Sequence, residues 1–132
     1  MGMARETKQR LRIYVAGPYS CENRCQPLGV DLVFMRRGLE TSVELLKRGY
    51  APFCPWLDYL FQLVSNGNGL QRVDYYEYSI AWLLASDAMF VTELRKCSNG
   101  TKNEIMVAEK ENIPIFWTIN ELEKWSNKLT EE

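Results

Sequence analysis

Ser98, Gly100, Thr101 and Glu104 stand together in the segment SNGTKNE, just ahead of a run with good helix propensity. A hydroxyl, a glycine that leaves its backbone open and the positive end of a helix dipole, gathered at one point, make a site for an anion such as phosphate. A carboxylate in the same segment adds a nucleophile or a stabiliser of developing positive charge. The plainer alternative is capping: Ser98 or Thr101 as N-cap, with the acidic Glu104 in the first turn, is what many helix starts show. Lys102 either adds charge to the anion site or is a solvated helix residue.

Other chemistry is constrained by what the chain lacks. It has no histidine, which removes Ser-His and Cys-His nucleophilic catalysis, His-rich zinc sites and imidazole acid/base work together. Proton transfer is left to carboxylates, Tyr, Lys or Cys. The cysteines, Cys21, Cys25, Cys54 and Cys97, contain no two-residue gap of the kind found in zinc knuckles and redox motifs, so no metal is expected. Asp87 either caps a helix or takes part in the chemistry, and Asp58, just past Pro55, is a turn residue or a ligand contact. Trp56, Tyr59, Tyr75, Tyr76 and Tyr78 offer either a base-stacking surface or core and interface packing.

The elements that would position these groups follow from hydrophobic periodicity. Ile13, Tyr14 and Val15 precede a Gly17-Pro18 punctuation, the pattern of a buried strand ending in a sharp loop that aims Tyr19 into a crevice. From about Asp31 to Arg48, Leu32, Met35, Leu39, Val43 and Leu46 recur at helical spacing, and Gly49 supplies a stop. Residues 50–56 read as a second strand, 56–64 as a short helix or lid, 71–85 as a helix and 88–92 as a third strand. A helix over 102–111, a strand over 113–117 and a closing helix over 120–129 complete the chain. This alternation predicts a single α/β domain over residues 1–132, with a parallel sheet of four or five strands flanked by helices, flavodoxin-like or Rossmann-like. Ligands of such sheets lie at the carboxyl ends of the strands, which singles out the loops holding Gly17 and Tyr19, Asp58, and Ser98 to Glu104.

The 132 residues suit one domain, and 46% hydrophobic with 25% charged residues is a globular composition. A net charge of -1 provides no field for a nucleic acid polymer or a membrane surface. Residues 1–12 are polar and basic without an apolar core, so neither signal peptide nor anchor is expected, and the location expected is cytoplasmic with reduced thiols.

Taken in order, YVAGPYS, PFCPWLD, WLLASDAMFV and SNGTKNEIMVAEKENIPIF resemble the nucleoside 2-deoxyribosyltransferase-like superfamily, over about residues 12–117. That group includes the 2-deoxynucleoside 5-monophosphate N-hydrolases. Its most specific element is Ser-x-Gly-x-x-x-Glu, met by Ser98, Gly100 and Glu104 after a strand headed by Asp87.

The resemblance implies that Glu104 attacks or stabilises the anomeric carbon as an N-glycosidic bond breaks, with water or a base as final acceptor. Such cleavage passes through an oxocarbenium-like centre, which a carboxylate beneath the sugar can trap. The expected site is thus Glu104, with Tyr19 and Asp87, for the chemistry, and Gly17, Asp58, Ser98, Gly100 and Lys102 for the nucleoside or nucleotide, with no organic cofactor. Relatives assemble as dimers or larger, which implies a homodimer or larger homo-oligomer, with the aromatic region 56–82 as a candidate interface.

Two departures matter. Many relatives carry an Asp for proton transfer eight residues before the position of Asp87, where this chain has Ser79, so that Asp58, Asp74 or Asp87 supplies the proton or the protein binds with weak turnover. Transferases that exchange bases on free nucleosides tend to be acidic where this chain has Ser98, whereas the monophosphate hydrolases have Ser. A hydroxyl there donates to a 5-phosphate that a carboxylate would repel. Monophosphates are therefore expected to outcompete the matching nucleosides, and Ser98→Asp to erase or reverse that preference in a competition assay. Equal affinity of the wild-type protein for both would refute this assignment.

Overall fold

The computed structural model describes residues 9–17, 32–55, 58–65, 69–92 and 99–130. Within them the order is β1 (Arg12–Ala16), α1 (Leu32–Lys47), β2 (Ala51–Phe53), α2 (Asp58–Ser65), α3 (Arg72–Leu84), β3 (Ala88–Val91), α4 (Asn99–Lys110), β4 (Ile115–Phe116) and α5 (Ile119–Thr130). The strands form one parallel sheet of four in the order β2-β1-β3-β4, so the fold is the expected Rossmann-like α/β domain. The chain crosses from β1 outward to β2 and then returns to the other side of β1 for β3. The gap between the carboxyl ends of β1 and β3 is consequently the switch point of the topology.

The alternation of side chains along β1 and β3 splits the interior into two layers. Ile13 and Val15, paired with Ala88 and Phe90, face one side, where they pack with Leu45 of α1 and Leu122 of α5. Tyr14 and Ala16, paired with Met89 and Val91, face the other, where Leu83 of α3 and Ala108 of α4 cover them. Every one of these side chains is buried. Cys54 is buried in the first layer.

Two helices end as the turn chemistry requires. After α1, Gly49 takes φ +98°, its N–H bonds Leu46 O at 3.1 Å and the Tyr50 N–H bonds Leu45 O at 3.1 Å. This is the paired-bond stop that a residue in left-handed conformation allows. Asn112, at φ 60°, ends α4 in the same way, with the Ile113 N–H on Ala108 O at 2.8 Å.

The helically spaced apolar residues of α1 are buried only in part. Met35 packs on the core while Leu39, Val43 and Leu46 lie about half exposed, and the fully buried large side chain among the described ones is Leu45, with Gly38 buried two turns earlier. The helix carries two apolar stripes about 100° apart. The sheet takes the stripe with Gly38 and Leu45.

The end of α1, the start of β2 and α5 are tied by one carboxylate. Glu123 accepts a hydrogen bond from the Tyr50 hydroxyl at 2.7 Å and faces Arg48 at 3.0 Å, which also bridges Glu44 at 2.7 Å. The Tyr50 and Arg48 hydrogen bonds hold the Glu123 carboxyl below its usual range. A carboxyl with a lowered folded-state pKa stabilises above its unfolded pKa and loses that contribution as pH falls through the folded one. Glu123→Gln should therefore destabilise by about 1 kcal/mol at neutral pH, an ion pair partly screened by water, and by much less near pH 3. Urea unfolding of both proteins at the two pH values measures it; an equal difference at both would exclude the tie.

Candidate functional site

The buried polar side chains among the described residues are Ser79, Thr101 and Glu104. Thr101, Glu104 and Ala108 recur at helical spacing and make the inner stripe of α4, while Ser79 stands one turn before Leu83 on the inner stripe of α3. Leu83 and Ala108 both pack with Tyr14 in the second layer. All three polar residues therefore lie on facing stripes above the same side of the sheet.

Tyr14 completes the arrangement. It is fully buried in the middle of β1, and its hydroxyl donates a hydrogen bond to Glu104 Oε2. A carboxyl moved out of water is costly unless a donor meets it, and this donor comes from a strand ninety residues earlier in the chain. The bond fixes the helix to the centre of the sheet and sets which way the carboxyl lies. Tyr14 was visible in the sequence only as a strand former; the sign of its role is a phenol between aliphatic neighbours in a strand buried on both sides.

An aromatic path runs from Tyr14 toward solvent. Its ring stacks on Phe53 at 5.9 Å, and Phe53 stacks on Trp82 of α3 at 4.9 Å with the planes 15° apart. Tyr78 meets Phe53 edge-on at 6.0 Å and Phe61 of α2 at 5.5 Å. Trp82 remains 46% exposed. Of the aromatics considered for base stacking, Tyr78 joins this cluster. Tyr76 instead lines an open groove of about 320 Å³ between α3 and α4, with Asn103, Met106, Val107 and Lys110. Tyr75 is half-buried, Tyr59 is placed in α2 without a described side chain, and Trp56 lies outside the described residues.

The remaining expected residues divide by position. Gly17 is buried immediately beyond β1, at the switch point, where the Thr92 N–H bonds Ala16 O at 2.8 Å and holds the two strand ends level. Gly100 is in the first turn of α4. Asp58 opens α2, its side chain outside the described set, and Tyr19 and Ser98 lie outside the described residues. Because α4 begins at Asn99, Glu104 belongs to its second turn and Thr101 is an interior residue, so the capping explanation for both is set aside. Lys102 is exposed, about 200° around the helix from Glu104.

Asp87 is not brought to this site. Its carboxylate accepts the Arg12 N–H at 2.7 Å, and its own N–H bonds Arg12 O at 2.8 Å. These bonds clamp the amino ends of β1 and β3, some four strand residues, or roughly 13 Å, from their carboxyl ends. Its use here is structural. Asp74 is likewise committed, with Oδ2 accepting the Gln71 N–H at 2.7 Å at the start of α3.

Among the described residues no group of three His, Cys, Asp or Glu side chains could hold a metal, and no helix is long and apolar enough to cross a membrane. No protein-family model matches the chain, and no curated protein matches it.

Tyr14→Phe keeps the ring stack but removes one donor from a buried carboxyl, and should destabilise the protein by about 1–3 kcal/mol in urea unfolding. Adding Tyr14→Phe to Glu104→Ala should then cost less than it costs alone. Fully additive losses would mean that the bond does not join strand to helix.

Proposed function

We propose that the protein cleaves the N-glycosidic bond of a nucleoside 5-monophosphate, releasing free base and sugar phosphate. The observation that carries this reading is Glu104: a buried carboxyl, oriented by the Tyr14 hydroxyl, on the helix that follows β3, one of the two strands whose carboxyl ends flank the switch point where open parallel sheets receive ligands. In its ionised form one oxygen attacks the anomeric carbon, the C–N electron pair leaves with the base, and water then opens the glycosyl ester. No histidine is needed at any step. The hydrogen bond from Tyr14 keeps the carboxyl in one orientation, so little reorganisation precedes attack.

The first turn of α4, with Gly100, is the natural seat for the 5-phosphate, and Ser98 directly ahead of it supplies a hydroxyl. Gly17 at the switch point allows close approach of the sugar, with Tyr19 and Asp58 on the neighbouring loops. Lys102 adds a positive charge at that helix start without touching the carboxyl. The exposed apolar side chains of α1 (Leu39, Val43, Leu46) and of α2 and α3 (Phe61, Val64, Val73, Trp82) support a homo-oligomer.

A nucleotide-binding module with little turnover is the second reading, favoured by Ser79 where an acid would serve the leaving base. Base release decides between them. Incubation with a panel of ribo- and deoxyribonucleoside monophosphates, followed by chromatography, should show free base, and Glu104→Gln should lower its rate at least ~10³-fold while leaving the fold and nucleotide binding intact. Nucleotide binding without base release in the wild-type protein would select the binding module.

A further inference from the structure

Among the described residues, three aromatic rings meet on Phe53. It stands beside Tyr14 in the parallel pairing of β1 with β2, and the two rings stack at 5.9 Å with their planes 27° apart. Trp82 of α3 stacks on Phe53 at 4.9 Å with planes 15° apart, and Tyr78, one turn earlier on the same helix, meets it edge-on at 6.0 Å. Trp82 is half exposed and Tyr14 fully buried, so the stack leads from solvent to the residue that donates to Glu104.

Filling space does not by itself call for a ring at position 53. An aliphatic side chain covers the second layer as well, as Leu83 and Ile80 do. What a flat ring adds is control of tilt, because a stacked pair favours one relative orientation of its planes. Tilt matters for Tyr14, whose hydroxyl lies at the far end of the side chain. A ring turned by about 10° carries its hydroxyl by about 1 Å, the scale of misplacement that costs about 10²-fold in rate. Phe53 also has no side-chain donor or acceptor, so it steadies the phenol without competing for the hydroxyl.

The Tyr14 hydroxyl holds one oxygen of Glu104, Oε2, and thereby constrains where the other oxygen lies. We propose that Phe53, backed by Trp82, is a positioning residue for the glycosidic step, acting through Tyr14 on Glu104; this rests on the nucleotide hydrolase reading. The order of action is Trp82 on Phe53, Phe53 on Tyr14 and Tyr14 on the carboxyl, and each of these contacts is made in the structure. Losing the flat ring at position 53 therefore slows the reaction by letting the phenol tilt, and only as long as the phenol has a hydroxyl to misplace.

Base release at steady state is measured for Phe53→Leu, Phe53→Tyr and Trp82→Leu, each in the wild-type and in the Tyr14→Phe background, on the nucleoside monophosphate that the wild-type protein cleaves fastest. Phe53→Leu should lower kcat about 10-fold and leave KM within about twofold, the split expected when orientation is lost but no substrate contact is. Phe53→Tyr, which returns a flat ring, should recover most of that loss. Trp82→Leu, at a half-exposed position, should lower kcat about threefold in the same manner. In the Tyr14→Phe background neither leucine variant should lower kcat further, because the two changes act through one hydroxyl. An unchanged kcat, a raised KM alone, or equal losses in both backgrounds would overturn the inference and keep the hydrolase; if Phe53→Leu does not fold, Trp82→Leu decides by the same comparison. Base released from no monophosphate by the wild-type protein would overturn both.

Discussion

A carboxyl group buried between a parallel sheet and its covering helix has to be met by a donor, and in this protein the donor is a phenol in the middle of the central strand. The Tyr14–Glu104 hydrogen bond constrains much of what surrounds it. It requires that position 14 face α3 and α4 and not α1 and α5, which by alternation sends Ile13 and Val15 to the opposite layer. A one-residue slip of β1 against β3 would exchange the two faces and leave the carboxyl of Glu104 against aliphatic side chains. The register is guarded at both ends, by the Asp87 clamp on Arg12 and by the Thr92 N–H on Ala16 O.

The two layers differ in kind as a result. The layer under α1 and α5 is aliphatic, with Tyr50 reaching out of it to Glu123, and it is fastened at its rim by Arg48 and Glu44. The layer under α3 and α4 contains the polar residues Ser79, Thr101 and Glu104, and beside it runs the stacked series Tyr14, Phe53 and Trp82. Stacked rings hold Tyr14 against sideways motion at small conformational-entropy cost, since each ring has few rotatable bonds. One face of the sheet is thus devoted to stability and the other carries the groups capable of chemistry.

Such a division also explains why two aspartates with similar sequence contexts serve different ends. Asp87 heads a strand and so lies at the amino end of a parallel sheet, where side chains join elements and ligands are not received. Asp58 follows a strand and opens a helix, which puts its backbone at the carboxyl end. In a parallel sheet, preceding or following a strand is enough to send a residue to opposite ends of the molecule.

The number, type and order of the elements were legible in the sequence, because hydrophobic period, glycine stops and strand formers act over a few residues and are little changed by what packs against them. Gly49 ending α1, the strand over 88–91 and the placement of Glu104 on a helix after that strand belong to this class. Decisions between equivalent local choices were not legible. Two apolar stripes of α1 compete on equal terms until the sheet accepts the one with Gly38. Tyr14 looks like any strand aromatic until a helix ninety residues away brings a carboxyl to its hydroxyl. Asp87 is compatible with a catalytic part until the parallel order of β1 and β3 carries it to the far end of the sheet. Each depends on contacts between segments distant in the chain, and only the packed tertiary structure brings those segments together.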